Sequence, residues 1–136
     1  IAVELVDETN VLFLVTYADA TEEFTHIADK IATTLDKGRK LVPKKLTVPA
    51  FQDMPQVIFW PREAFFAPRE KIPFEAAEGR ICAEKICFYP PGIPALVPGE
   101  KITKSIQEYC KAMLKLGMHL TGPQDSTLQT VQVIKP

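Results

Sequence analysis

Nine of the chain's twelve prolines fall between Pro49 and Pro98. Proline lacks a backbone N–H and has a fixed φ, which bars it from helix interiors and central strands. Regular structure in that stretch must be short, so longer elements are expected before and after it. Hydrophobic spacing agrees. Residues 1 to 6 and 10 to 17 are rich in apolar and β-branched side chains and are separated by the turn formers Asp7 to Asn10, which predicts two strands. Phe24, Ile27, Ala28, Ile31 and Leu35 then recur at helical spacing, with Thr21 placed to cap, Glu22 and Glu23 in the first turn and Lys37-Gly38 as the stop. A basic stretch from Lys37 to Lys45 leads to Leu46-Thr47-Val48, a third expected strand. The order β-β-α-β fits an open α/β layer.

Within and beyond the proline-rich region three further elements are expected. Arg80 to Tyr89 alternates as a strand would, with Ile81, Ala83 and Cys87 on one side and Cys82, Ile86 and Phe88 on the other. Ile106, Tyr109, Cys110, Met113 and Leu114 predict a helix capped by Thr103 or Ser105 and stopped by Gly117, and Ser105 with Glu108 would make a capping box. Leu128 to Ile134 predicts a final strand. The expected architecture is an α/β subdomain over residues 1–48 continuing into a compact α+β domain over 49–136.

Charge and composition narrow the function classes. Sixteen basic and seventeen acidic residues are mixed along the chain to a net charge of −1, so no field draws in nucleic acid or an anionic membrane. The longest apolar run, Val11 to Val15, is far short of the roughly 20 residues that span a bilayer. Cys82, Cys87 and Cys110 show no CxxC spacing and neither histidine lies near them in sequence, which predicts buried thiols in a reducing, cytoplasmic setting without a zinc site. Ile1-Ala2-Val3-Glu4 enters strand-like sequence at once, so a piece of a longer polypeptide is expected.

The segment Gly79-Arg80-Ile81-Cys82-Ala83-Glu84, followed by Tyr89-Pro90-Pro91-Gly92-Ile93-Pro94-Ala95-Leu96-Val97-Pro98-Gly99-Glu100, resembles the signature of the carboxy-terminal domain of the bacterial fold-type I Orn/Lys/Arg decarboxylases. Four prolines and two glycines at fixed offsets over Pro90 to Glu100 demand one particular backbone path, which makes the match specific. Pro61-Arg62-Glu63-Ala64-Phe65-Phe66 is similar to the segment ahead of that signature, and Val3-Glu4 through Asn10-Val11-Leu12-Phe13 to a strand pair of the family's small domain. The variety resembled is the short form without an amino-terminal wing, because the connection between residues 36 and 60 is short.

The resemblance implies a parent enzyme that decarboxylates arginine, lysine or ornithine with pyridoxal phosphate, on the route to polyamines. It also implies packing against a large cofactor-binding domain and a homo-oligomer. In the family the cofactor lysine sits in a Ser-x-His-Lys context. Here His26 is followed by Ile27 and His119 by Leu120, and no glycine-rich loop could cradle a phosphate, so this piece is expected to bind no cofactor and to be inactive alone. The rival reading is a stand-alone interaction or regulatory module that keeps the decarboxylase tail for its shape.

One residue is a candidate for substrate contact. Glu4 precedes Asn10 by the same offset as the family's acidic residue that meets the far nitrogen of the substrate, and a carboxylate suits an ammonium or guanidinium. The plainer reading is a solvated glutamate at a strand edge. Arg80, Tyr89, Pro90, Pro91, Gly92, Pro94, Pro98, Gly99 and Glu100 form the structural signature. Arg80 and Glu100 are expected to pair or to tie down loops, and Tyr89 with Pro90-Pro91-Gly92 to make a rigid crossover or an entrance wall. Phe13, Trp60, Phe65, Phe66 and Phe88 are expected to face a missing domain in part.

Overall fold

The structure is a computed structural model that describes residues 3–6, 10–19, 21, 23–38 and 54–136. It divides into two compact units, Ile1–Thr47 and Val48–Pro136. The third strand expected at Leu46 to Val48 lies outside the described residues.

In the first unit the two expected strands are pared down to a short antiparallel pair, β1 (Leu5–Val6) and β2 (Val11–Leu12), with Leu5 opposite Leu12 and Val6 opposite Val11. The second does not run on to Tyr17. The Asp19 carboxylate accepts from the backbone N–H of Thr16 (2.7 Å) and its hydroxyl (2.8 Å), and the chain closes into a 3-10 turn at Tyr17–Asp19. Helix α1 (Glu23–Gly38) follows, with the Thr21 carbonyl accepting from the Phe24 N–H at 3.0 Å. Phe24, Ile27 and Ile31 on its apolar stripe are only half-buried, Leu35 is exposed, and no residue of the helix is buried.

The second unit holds the core, made of short elements as the prolines require. Helix α2 (Pro61–Phe66) starts with proline at its first position, where no N–H is needed, while the Glu63 carboxylate reaches back to the Trp60 N–H at 2.9 Å. Strand β3 (Arg69–Pro73) follows. Strand β4 (Ile86–Tyr89) pairs antiparallel with β5 (Pro94–Leu96), helix α3 spans Lys104–Lys115, and β6 (His119–Thr121) pairs with the other edge of β4. The last strand, β7 (Thr130–Ile134), pairs antiparallel with β3 from Arg69–Ile134 to Pro73–Thr130. The sheets are thus a three-stranded β5-β4-β6 and a two-stranded β3-β7. Ile86, Phe88 and Leu96 from the first, Val131 and Val133 from the second, and Ile106, Cys110 and Met113 from α3 meet in one core.

Three expectations need correction. Arg80 to Tyr89 is not one strand: Ile81 bridges Lys101 and Cys82 bridges Val133, and only Ile86 onward forms β4. The two-sided alternation fails with it, since Cys82, Ala83 and Glu84, and then Ile86, Cys87 and Phe88, are all buried. On α3 the cap is Thr103, whose hydroxyl accepts from the Ile106 N–H at 3.3 Å; Ser105 lies inside the helix, so the Ser105–Glu108 capping box does not form. Phe88 faces no missing partner. It is 2% exposed and packs edge-on against Tyr109, with centroids 6.2 Å apart. Gly117 does end α3, at φ +77°, with Gly117 N–H donating to Leu114 and Met118 N–H to Met113.

Candidate functional site

The signature segment becomes a crossover that ties the sheets of the second unit together. At its start the Arg80 guanidinium meets the Glu70 carboxylate at 2.6 Å and donates to the Ile134 carbonyl at 3.0 Å, joining the β3-β7 edge to the loop before β4. Arg80 and Glu100 therefore do not pair with each other. The Glu100 carboxylate instead accepts from the Val97 N–H at 2.8 Å, closing the turn around Pro98 and Gly99, and its backbone bridges Val57.

Gly99 sits at φ +96°, donates to the Cys82 carbonyl and accepts from the N–H groups of Ile58 and Phe59. A Cβ there would lie 2.1 Å from the Phe59 carbonyl oxygen, so only glycine fits this crossing.

The Tyr89-Pro90-Pro91-Gly92 turn leads from β4 to β5 through two cis peptides, Tyr89-Pro90 and Pro90-Pro91. It is held from inside by the Gly92 N–H donating to Phe88 (3.0 Å) and the Cys87 thiol donating to the Gly92 carbonyl (2.8 Å). Pro94 opens β5 opposite Cys87. The turn's outer face carries Tyr89 at 41% and Ile93 at 73% exposure, an apolar rim on an otherwise anchored loop.

Glu84 and Asp125 are structural carboxylates that the sequence pattern did not single out. Buried Glu84 accepts from the N–H groups of Gln132 (2.9 Å) and Gln124 (3.0 Å), one on each oxygen, fastening β7 and the loop between β6 and β7 to the segment before β4. Such bonds offset the cost of placing a carboxylate away from water. Asp125 accepts from the hydroxyl and N–H of Thr127 and then from the hydroxyl and N–H of Thr130, and these donors hold its carboxyl well below the usual carboxylate range. A side chain that binds its own chain two residues on is a turn device, and it lay in the turn-rich stretch that precedes the last strand.

The lowered pKa of Asp125 gives stability that is full above the unfolded carboxyl value of about 3.9 and is lost as pH falls further. Asp125→Asn is therefore expected to flatten the acid limb of the stability curve below about pH 4. Urea midpoints measured from pH 2 to 7 check this: an unchanged acid limb in the variant would assign that loss to other carboxylates.

All three cysteines are free and buried. Burial pushes the Cys82 and Cys110 thiols up to about 12, so at neutral pH neither is a nucleophile. His26 is exposed on α1, and exposed His119 pairs with Tyr89 through the backbone of β6 and β4.

Glu4 is in the other unit. Its N–H donates to the Leu12 carbonyl at 3.0 Å, which fixes its backbone at the start of the hairpin, and its side chain is exposed. The described residues of the first unit therefore hold the expected substrate carboxylate at a surface. In the second unit they hold the signature as scaffold. Among the described residues no helix is long and apolar enough to cross a membrane.

Comparison with known proteins gives the arrangement its context. The chain is 42% identical over 139 aligned residues to the arginine decarboxylase of Bacillus anthracis, covering 99% of this chain and 28% of that one. Arginine decarboxylase of Halalkalibacterium halodurans is 37% identical with the same coverage. Among solved structures, the constitutive lysine decarboxylase of Escherichia coli superposes with a TM-score of 0.53 at 30% identity, over 62% of this chain and 14% of that one. The chain thus spans little more than a quarter of the length of the curated relatives it matches. Residues 44–132, a range that contains the whole Arg80 to Glu100 crossover, match the family model described as Orn/Lys/Arg decarboxylase, C-terminal domain, and the chain belongs to that family.

Proposed function

We propose that this chain is the C-terminal part of a pyridoxal-phosphate-dependent decarboxylase of basic amino acids serving polyamine synthesis, and that it shapes and orients the enzyme without carrying the cofactor. The observation that carries this reading is the 42% identity to an arginine decarboxylase across 99% of the chain. The residues present do not fit the cofactor. No Ser-x-His-Lys context and no glycine-rich phosphate loop occurs anywhere in the sequence, so pyridoxal phosphate belongs with the rest of the polypeptide.

This chain's own contribution to substrate is Glu4. Its exposed carboxylate, set by the hairpin register, meets the distal ammonium or guanidinium of the amino acid once the rest of the enzyme encloses the site. Glu4→Gln is expected to lose about 1.5–3 kcal/mol of substrate interaction, the range for hydrogen bonds to charged groups. That corresponds to a fall in kcat/KM of about tenfold to a hundredfold, with cofactor content unchanged because the lesion is at the far end of the substrate. Kinetics of the full-length variant within about twofold of the parent would make Glu4 a solvated strand residue. The reading as a whole is tested by carbon dioxide release from arginine, lysine and ornithine by the full-length protein. Release from none of the three would overturn it.

A further inference from the structure

We draw no further inference here: the strongest candidate, the exposed apolar surface patch that runs from Met54 through Phe59 and Trp60 to Phe65 and Phe66 on α2, carries nothing because nothing in the structure shows what covers it.

Discussion

Gly99→Ala destabilises the second unit by roughly 3–5 kcal/mol, the sum of a left-handed φ forced on a residue with a Cβ and a clash that cannot relax. The clash is with backbone: the added carbon would sit 2.1 Å from the Phe59 carbonyl oxygen and 3.0 Å from its carbon, where two chain segments cross through hydrogen bonds. Gly79→Ala is the internal control. Its φ of +80° is as unfavourable, yet nothing lies within 4 Å of the added carbon, so only the conformational cost of about 1–2 kcal/mol remains. Urea unfolding of both variants measures the difference. Equal losses at the two positions would mean that the crossing at Gly99 is looser than its contacts imply.

The second large effect separates the two units. Unit 2 buries a contiguous core from both sheets and α3, whereas no described residue of unit 1 is buried and the stripe of α1 stays open along a groove lined by Phe13, Phe24, Ile27, Ile31 and Leu35. Apolar burial is what offsets chain entropy, and so short a segment without it does not hold its structure. In the isolated chain, protease is expected to remove the first unit within the time that leaves Val48–Pro136 intact. In the full-length polypeptide the same bonds should be protected. Equal resistance of both units in the isolated chain would show that unit 1 is self-sufficient.

How much of this was legible in the sequence depends on whether neighbours or distant partners decide the outcome. Helix α3 was readable because Ile106, Cys110 and Met113 recur on one face and Gly117 supplies the left-handed stop. Short elements between Pro49 and Pro98 followed from proline chemistry. The strand at Arg69–Pro73 was not readable, since Arg-Glu-Lys-Ile-Pro offers one apolar residue and is a strand only because β7 pairs with it some 60 residues later. The break in Arg80 to Tyr89 was hidden for the same reason: Glu84 looks like the polar member of an alternating pattern and in fact turns inward to Gln124 and Gln132. Of the two roles expected for Arg80 and Glu100, pairing or tying down loops, the structure shows the second: Arg80 bonds Glu70 and Ile134, and Glu100 closes its own turn at Val97. The proposal for Glu4 comes from resemblance alone, because a glutamate at a strand edge has no local pattern that marks it for substrate.

The most direct measurement is carbon dioxide release from arginine, lysine and ornithine, run side by side on the 136-residue chain and on the full-length polypeptide, each supplied with pyridoxal phosphate. The account predicts turnover of at least one of the three by the full-length protein and none by the 136-residue chain. Release by the short chain alone, or by neither protein, would contradict it.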